Sequence, residues 1–375
     1  MNNIKQHLMT VISLLLLILA SVIPQANASK LNKKILMVVS AYGEKQGEVK
    51  PGYEFDEFSK AYLVFKANGI KVDVASPKGG GVEADKYDPS ASYNANVLAD
   101  DAIMAKLNNT LATSEVNAKN YAAVFIVGGK GAMFDLPKDK ALQSLVADIY
   151  QQQGSVAAVC HGPAALVDVK LPDGSYLVAN KAINGFTNTE EQLFGQKWLS
   201  KFDFKLEDKL IERGGKFQSS DIMLSHVAID GRLITGQNPT STTEVAAALV
   251  KSLGYENVEM ELSKDDKTLA LVAKLLAGDK SVLASFEKNE QDYHLALVGM
   301  YGFYYLKIAQ NDVQLEQALD LMIAAHSAIE NPMLDMKIAT AQQKLGKEAL
   351  AKNTLEQLLL EVPDYQPAID MMKTL

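Results

Sequence analysis

The chain has 375 residues, of which 48% are hydrophobic and 22% charged, and its formal net charge is −8. This length is enough for one large domain and a smaller one, and the composition excludes a disordered, a collagen-like or a multi-span membrane protein. The negative charge argues against a nucleic-acid-binding surface, and the single cysteine, Cys160, excludes an intrachain disulfide and a cysteine-rich metal site.

Residues 1–28 have the pattern of a secretory signal peptide. Lys5 precedes an apolar run from Leu8 to Ile23, and Ala26 and Ala28 place small residues at the −3 and −1 positions of a cleavage site. An uncleaved anchor helix is the alternative, but the run is shorter than the roughly 20 apolar residues that span a bilayer. The sequence therefore predicts cleavage after Ala28, export to a bacterial periplasm and no stable membrane anchor afterwards.

Short apolar segments alternate with amphipathic ones over residues 29–254, which we predict to form one α/β domain. Four segments are nearly continuously apolar and rich in β-branched residues, as in parallel strands that are buried on both faces: 34–40, 70–76, 121–128 and 155–159. Helical spacing of apolar residues predicts helices over 54–68 and 141–152.

The end of this domain has the pattern of a hairpin followed by a helix. Asp230-Gly231 separates strand-like segments at 222–229 and 232–235, and Ser241 with Glu244 has the spacing of a capping box before a helix over 245–253. The alternation predicts a doubly wound, mostly parallel, flavodoxin-like α/β sandwich with an antiparallel edge.

Residues 255–375 show only helical periodicity and predict an all-helical extension. Small residues and prolines recur at a period of about 33 residues within it, for example Ala318 and Ala351. The segment 299–365 resembles one or two tetratricopeptide repeats, which would suit a partner-binding module. A plain helical bundle is an equal alternative, because an independent solenoid usually needs three repeats or more.

The strongest local signal for chemistry is the end of the strand over 155–159. Cys160 follows the strand directly, with His161, Gly162 and Pro163 behind it. This is the pattern of a nucleophile elbow, in which a sharp turn exposes the reactive side chain at the carboxyl end of a strand. The start of a helix there would favour the thiolate form of the cysteine.

Two glycine-rich or acidic segments are expected near this elbow. The turn at 128–131 also ends a strand, and its backbone N–H groups could face an oxygen of a substrate that Cys160 attacks. In the segment 185–191, Glu190 or Glu191 could orient His161 as the third member of a triad. Alone, an acidic first helical turn is explained by the helix dipole.

With these motifs in place, the segment from about 34 to 254 resembles the ThiJ/PfpI superfamily, whose fold is that of class I glutamine amidotransferases. The resemblance is greatest to the branch of cofactor-independent glyoxalases (glyoxalase III) and stress chaperones. Six blocks match in order, at residues 76–85, 128–135, 158–164, 171–174, 185–191 and 234–239. The helical extension lies outside the resemblance.

The resemblance implies roles for five residues. Cys160 would be the nucleophile and His161 its partner, with Glu191 as the acid that completes the triad. The glutamate beside the thiol would be Glu57, with Glu54 as the alternative register.

The resemblance also implies a pocket built on the glycine-rich turn. Backbone N–H groups of Gly129 and His161 would hold an oxyanion, with Lys130 and Gly131 at the pocket. Lys130 stands where the family usually has histidine, so it adds a positive charge there, while the backbone donors of Gly129 and Gly131 would be kept.

The activity that the resemblance implies is conversion of a small reactive carbonyl substrate, such as methylglyoxal, to a 2-hydroxy acid without a cofactor or a metal. The alternatives are a stress-related holdase, for which the aromatic run 301–305 is a candidate surface, and a deglycase-like repair protein. Amidotransferase and peptidase activities have less support. A protein partner of the helical extension and a homodimer are compatible with the sequence.

Overall fold

The computed structural model describes residues 33–288 and 291–375, so the predicted signal peptide lies outside the described residues. The first part of the chain is built on a seven-stranded sheet, accompanied by a separate two-stranded one. The strands of the large sheet are β1 (Lys34–Val38), β2 (Lys71–Ser76), β3 (Leu111–Ala112), β4 (Ala123–Ile126), β5 (Ser155–Val159), β8 (Val227–Asp230) and β9 (Leu233–Gly236). Their order is β3-β2-β1-β4-β5-β9-β8, and all neighbours are parallel except β8 and β9. The separate parallel pair is formed by β6 (Ala182–Ile183) and β7 (Lys216–Phe217).

Helices flank this sheet, which confirms the predicted α/β class with its antiparallel edge. They are α1 (Phe55–Ala67), α2 (Ser92–Leu98), α3 (Asp101–Asn108), α4 (Lys140–Gln151), α5 (Asn188–Phe194), α6 (Gln196–Leu199), α7 (Leu206–Glu212) and α8 (Thr242–Ser252). The central strands β4 and β5 are buried along their whole length, which explains why their sequences lack polar alternation.

The hairpin at the sheet edge differs from the sequence prediction in its first strand. β8 begins at Val227 instead of Ile222. Met223 has a φ of 61°, and its N–H donates to Glu190 Oε1 at 2.8 Å. A left-handed backbone conformation does not continue a strand, so the segment before Val227 is a loop.

The helix after the hairpin is capped differently from the prediction. Ser241 is the N-cap of α8, but its side chain accepts no hydrogen bond from the first turn. Its hydroxyl donates to Asn238 Oδ1 at 3.2 Å, while Glu244 accepts from Ser225 Oγ at 2.6 Å. The predicted capping box is therefore wrong, because both side chains are used in tertiary hydrogen bonds.

The rest of the chain is all-helical, as predicted. Its helices are α9 (Lys264–Leu276), α10 (Leu283–Lys288), α11 (Leu295–Ile308), α12 (Asp312–Ala324), α13 (Pro332–Lys344), α14 (Glu348–Glu361) and α15 (Gln366–Met372). α11 packs against α12 and α13 against α14, which gives the two successive helical hairpins that a pair of repeats requires. Among the described residues, no helix is both long enough and apolar enough to cross a bilayer.

The helical region packs on the α/β domain through a second hydrophobic core. Ile222 and Leu224, from the loop before β8, are buried in this core together with side chains of α9, α11 and α12. Lys60 on α1 pairs with Asp266 on α9 at 2.7 Å, and less than a tenth of either side chain is exposed. The extension is thus held against the domain by apolar contacts and by a buried ion pair.

The aromatic run 301–305 does not form the exposed surface that a holdase would need. Tyr301 and Tyr305 are both buried in the second hydrophobic core. Their spacing of four residues places them on one side of α11, facing the core. The prediction of a holdase surface at this run is therefore wrong.

Candidate active site

Cys160 lies at a sharp turn at the carboxyl end of β5, the strand between β4 and β9. Its φ is 58°, in the left-handed region, and its N–H donates to the carbonyl oxygen of Gly236 at 2.9 Å. Gly162 allows the turn to pack closely, since a Cβ there would lie 2.5 Å from the carbonyl oxygen of Ile126. This is the strand and turn of the predicted nucleophile elbow, with the cysteine at the edge where ligands of such sheets bind.

His161 lies between the thiol and a carboxylate. Its Nδ1 is 3.3 Å from Cys160 Sγ, and its Nε2 is 2.8 Å from Glu191 Oε2. The imidazole is 1% exposed and packs on the ring of Phe186 with centroids 4.5 Å apart. The Glu191 carboxylate can only accept a hydrogen bond, so Nε2 carries the proton. In the neutral ring Nδ1 is then without a proton and can accept one from the thiol.

Glu57, on α1, reaches the thiol from the other side. It is fully buried, and its Oε2 accepts the N–H of Gly128 at 2.7 Å. A Cβ on Gly128 would lie 2.8 Å both from Cys160 Cβ and from Glu57 Oε2. The lack of a side chain at Gly128 therefore lets the carboxyl group and the cysteine approach each other.

Burial and charge hold the thiol in its protonated form. Burial raises the pKa of Cys160 well above its ordinary value, the Glu57 carboxyl raises it further, and Lys130 lowers it. Burial, followed by the charge of Glu54, also raises the pKa of Glu57. The raised pKa contradicts our expectation of a stabilised thiolate, and only a short 3-10 turn over 162–166 follows the cysteine in place of the expected helix. The thiol needs a base when it reacts.

The glycine-rich turn at 128–131 offers a ligand fewer backbone N–H donors than the sequence suggested. The N–H groups of Gly129 and His161 have no acceptor within residues 33–288 and 291–375, so both are available to a ligand. The N–H of Gly131 donates to the carbonyl oxygen of Gly52 at 2.9 Å, and Gly131 lies outside the cavity. The expectation for Gly131 as a pocket residue and donor is therefore wrong, whereas Lys130 lines the cavity.

Glu54, the alternative register, is the N-cap residue of α1 and also lines the cavity. Burial, with the charge of Asp56, raises the pKa of its carboxyl from 4.5 to about 7, and Lys130 partly opposes the rise. Between pH 4.5 and 7 the folded chain therefore keeps a proton on Glu54 that the unfolded chain has already released. Above that range Glu54 is charged in its buried position, and this buried charge lowers the free energy of unfolding.

Replacing Glu54 by glutamine removes this buried charge. We expect the free energy of unfolding in urea to rise by roughly 1–3 kcal/mol at pH 8 and to change little at pH 4. Glu115→Gln, an exposed carboxyl far along the chain, is the matched control and should change neither value. Equal effects of Glu54→Gln at both pH values would contradict the assigned pKa.

Glu190 holds the loop around the site and does not contact His161. Its carboxylate closes a capping box with Thr187 and accepts hydrogen bonds from the Met223 N–H and from the Gln237 and Asn238 side chains. Of the two adjacent glutamates, the structure brings only Glu191 to the histidine. The interaction with Gln237 and Asn238 has no signal in the local sequence.

Gly195, which sequence reasoning did not single out, makes room for the Glu191 carboxylate. A Cβ on Gly195 would lie 1.5 Å from Glu191 Oε1. The φ of Gly195 is −102°, which alanine adopts without strain. The glycine is therefore required by the close approach of Glu191 and not by its own φ, since a Cβ would also lie 2.8 Å from the Glu191 carbonyl oxygen.

Gly195→Ala is expected to slow the alkylation of Cys160 by iodoacetamide at pH 7 by about tenfold or more, because the displaced Glu191 no longer orients His161 as a base. Since Cys160 is the only cysteine, mass spectrometry follows this reaction directly. Gly81→Ala is the control, because a Cβ there meets its nearest neighbour at 3.4 Å. Unchanged alkylation in Gly195→Ala would show that Glu191 does not position the imidazole.

The cavity at the thiol has a volume of about 340 Å³ and is bounded by both parts of the chain. The α/β domain contributes the polar groups described above together with Phe186 and Phe194. The helical region contributes Leu297, Met300 and Tyr304 of α11 and Asp265, Asp266 and Leu269 of α9. Sequence reasoning missed the contribution of α11 entirely. In the described part of the chain, no group of three or more histidine, cysteine or carboxylate side chains could hold a metal ion.

These features define a class: a doubly wound α/β protein whose site is a cysteine at the end of a central strand, with an adjacent histidine that a carboxylate holds. The model of the DJ-1/PfpI family matches residues 48–252, more than half of the chain, and the chain belongs to this family. The match ends before α9 begins, so the helical region is an addition to the family domain.

Individual relatives agree with this assignment. A glutathione-independent glyoxalase of Schizosaccharomyces pombe is 32% identical over 240 residues, which cover 59% of this chain and 98% of that relative. The crystal structure of a rapid encystment protein of Francisella tularensis is 34% identical, with a TM-score of 0.55 and coverage of 60% of this chain and 100% of that one. Glyoxalase III of Candida albicans shares the fold, with 24% identity, a TM-score of 0.55 and coverage of 59% and 98%.

Proposed function

We propose that this protein converts 2-oxoaldehydes, with methylglyoxal as the prototype, to 2-hydroxy acids such as lactate, without glutathione. The observation that carries the proposal is the position of the Cys160 thiol, which lies between His161 and the Glu57 carboxyl at the end of a cavity with two unpaired N–H groups. The 32% identity to a glutathione-independent glyoxalase over 98% of that relative supports the same reaction.

The first step is addition of the thiol to the aldehyde carbon. His161 Nδ1, 3.3 Å from Sγ, takes the thiol proton as the carbon–sulfur bond forms, and Glu191 stabilises the resulting imidazolium. The carbonyl oxygen develops negative charge, and the N–H groups of Gly129 and His161 are available to bind it. Protonation of that oxygen completes a hemithioacetal.

The second step moves a proton and then releases the product. A base removes the proton from C1, an enediol forms, and reprotonation at C2 gives a thioester of the hydroxy acid. Glu57 suits this transfer because its carboxyl lies beside the thiol, and its raised pKa makes the deprotonated carboxylate a stronger base than an ordinary one. Water then hydrolyses the thioester and restores the thiol. C1 is oxidised and C2 reduced within one molecule, so the reaction balances without an external oxidant.

Lys130 supports a substrate with two adjacent oxygens. It lines the cavity, and its charge is close enough to Cys160 to favour the thiolate. A cation at this point attracts both the developing oxyanion and the carboxylate of the product. The lysine that replaces the usual histidine therefore fits the proposed reaction.

The test is lactate formation from methylglyoxal in the absence of glutathione. We expect the chain over residues 29–375 to form lactate in amounts that match the methylglyoxal consumed. Because Cys160 is the only cysteine, activity should fall in proportion to the alkylated fraction of the protein. No lactate, or full activity after complete alkylation, would contradict the proposal.

The sequence also motivates proposals on location and assembly. We propose export to the periplasm with cleavage after Ala28, on the basis of residues 1–28. We also propose that the helical region binds a protein partner or a second copy, because Val313, Ile323 and Leu360 are exposed apolar side chains on its helices. The mass of the mature chain and its oligomeric state in solution test these two proposals.

A further inference from the structure

The cavity at Cys160 is closed on one side by residues that lie outside the family domain. Leu297, Met300 and Tyr304 are spaced three and four residues apart on α11, so they share one face of that helix, and all three line the cavity. We call these three side chains the α11 wall. The family match ends at residue 252, well before this helix begins.

We propose that the α11 wall binds the substituent of the substrate, and that the preferred substrate is a 2-oxoaldehyde with a bulky apolar group, aromatic in place of methyl. This inference rests on the proposed function and specifies its substrate. The reacting carbonyl groups would lie at the polar end beside Cys160 and Lys130, with the substituent directed to the wall.

The size of the cavity supports a larger substrate than methylglyoxal. Its volume is about 340 Å³. Methylglyoxal has five heavy atoms, so it would leave much of this space to solvent. Sites of about 300 Å³ and above commonly hold larger organic ligands.

The chemistry of the far side supports an apolar substituent. Phe194 of the α/β domain lines the cavity together with the α11 wall, and Phe186, packed on His161, extends the apolar lining toward the thiol. The rings of Phe194 and Tyr304 make an edge-to-face contact, with centroids 4.8 Å apart. An aromatic group can contact such ring faces and edges and the Met300 side chain, which is 42% exposed.

The wall is also held in place. On α9, which packs against α11, Asp266 pairs with the buried Lys60 of the domain and accepts a hydrogen bond from Thr243 at 3.3 Å. His294, at the N-terminus of α11, donates its backbone N–H to Thr268 on α9 at 2.9 Å. A wall fixed in this way discriminates between substituents by shape, because it cannot move away at low cost.

The experiment compares phenylglyoxal with methylglyoxal. We expect kcat/KM for phenylglyoxal to exceed that for methylglyoxal by about tenfold or more, and Met300→Ala to lower kcat/KM for phenylglyoxal far more than that for methylglyoxal, so that most of the preference is lost. Tyr304→Ala should act in the same direction. Met333→Ala is the matched control, since Met333 is 51% exposed on α13 and does not line the cavity.

A binding experiment separates this inference from the proposed function. Mandelate and lactate, the products of the two substrates, are titrated into Cys160→Ala, where we expect mandelate to bind about tenfold more tightly and Met300→Ala to abolish the difference. Turnover of methylglyoxal at least as efficient as that of phenylglyoxal would overturn the inference and leave the proposed function standing. If neither aldehyde reacts, the proposed function fails; preferential mandelate binding would still support the apolar subsite, and equal binding would overturn it.

Discussion

Cys160→Ala is expected to lower lactate formation from methylglyoxal by a factor on the order of 10³ or more. The reaction needs a covalent bond between sulfur and the aldehyde carbon, and no other cysteine exists in the chain to replace it. His161 and Glu57 would remain in place, but without a nucleophile they can only assist slow proton transfer on the free aldehyde.

The assay measures lactate with purified wild type, Cys160→Ala and Cys160→Ser. The serine variant keeps the size of the side chain and should be almost as inactive, since a hydroxyl is a far weaker nucleophile than a thiol that transfers its proton to a base. Both variants should unfold in urea close to the wild-type midpoint, which excludes misfolding as the cause. Substantial lactate formation by Cys160→Ala would rule out the hemithioacetal.

Lys60→Met is expected to destabilise the protein by about 3–5 kcal/mol, because it leaves the carboxylate of Asp266 buried without its partner. The two groups are 2.7 Å apart, with 8% and 5% of their side chains exposed. Their separation of 206 positions in the chain means that the pair joins α1 of the domain directly to α9 of the extension. We therefore expect the loss to appear as detachment of the helical region.

Urea unfolding, with limited proteolysis of the segment between α8 and α9, measures both effects. The matched control is the double variant Lys60→Met/Asp266→Asn, which removes both charges and keeps an oxygen acceptor for Thr243 and Ser263. We expect the double variant to recover most of the lost stability. If Lys60→Met and the double variant were equally unstable, the lysine would contribute by packing alone.

The ion pair between Lys60 and Asp266 also shows that the helical region cannot be removed without leaving buried groups of the α/β domain unpartnered. A chain ending near residue 254 would leave Lys60 without its acid and would expose Ile222 and Leu224. The helix α8 ends at Ser252, and α9 begins at Lys264. The segment between α8 and α9 also contacts the α/β domain, since the Asn68 side chain donates to the carbonyl oxygen of Glu259 and accepts from its N–H.

Much of the fold and of the site could be predicted from local patterns. Continuous apolar runs identified β1, β2, β4 and β5, because strands that are buried on both faces need no polar residues. The elbow was visible because Cys160 and His161 are adjacent and directly follow such a strand. The residues expected around them, Glu191 and Glu57, lie beside His161 and Cys160 respectively.

Other features depended on contacts between distant parts of the chain. The helical periodicity of α11 predicts an apolar face, but it does not say that Met300 and Tyr304 line the cavity of Cys160. The protonated state of the thiol likewise follows from burial and from Glu57, neither of which is visible in the residues next to Cys160.

There is a physical reason why some features could be predicted from local patterns and others depended on the tertiary structure. The spacing of residues along the chain determined by itself which segments form strands and helices and which face of each is apolar, because these properties depend on local geometry with a fixed period. Only the tertiary structure decided which apolar faces meet, and therefore that α11 closes the cavity at Cys160 and that Lys60 pairs with Asp266. Such partners are selected by the close packing of all elements together, and a local pattern carries no information about that packing.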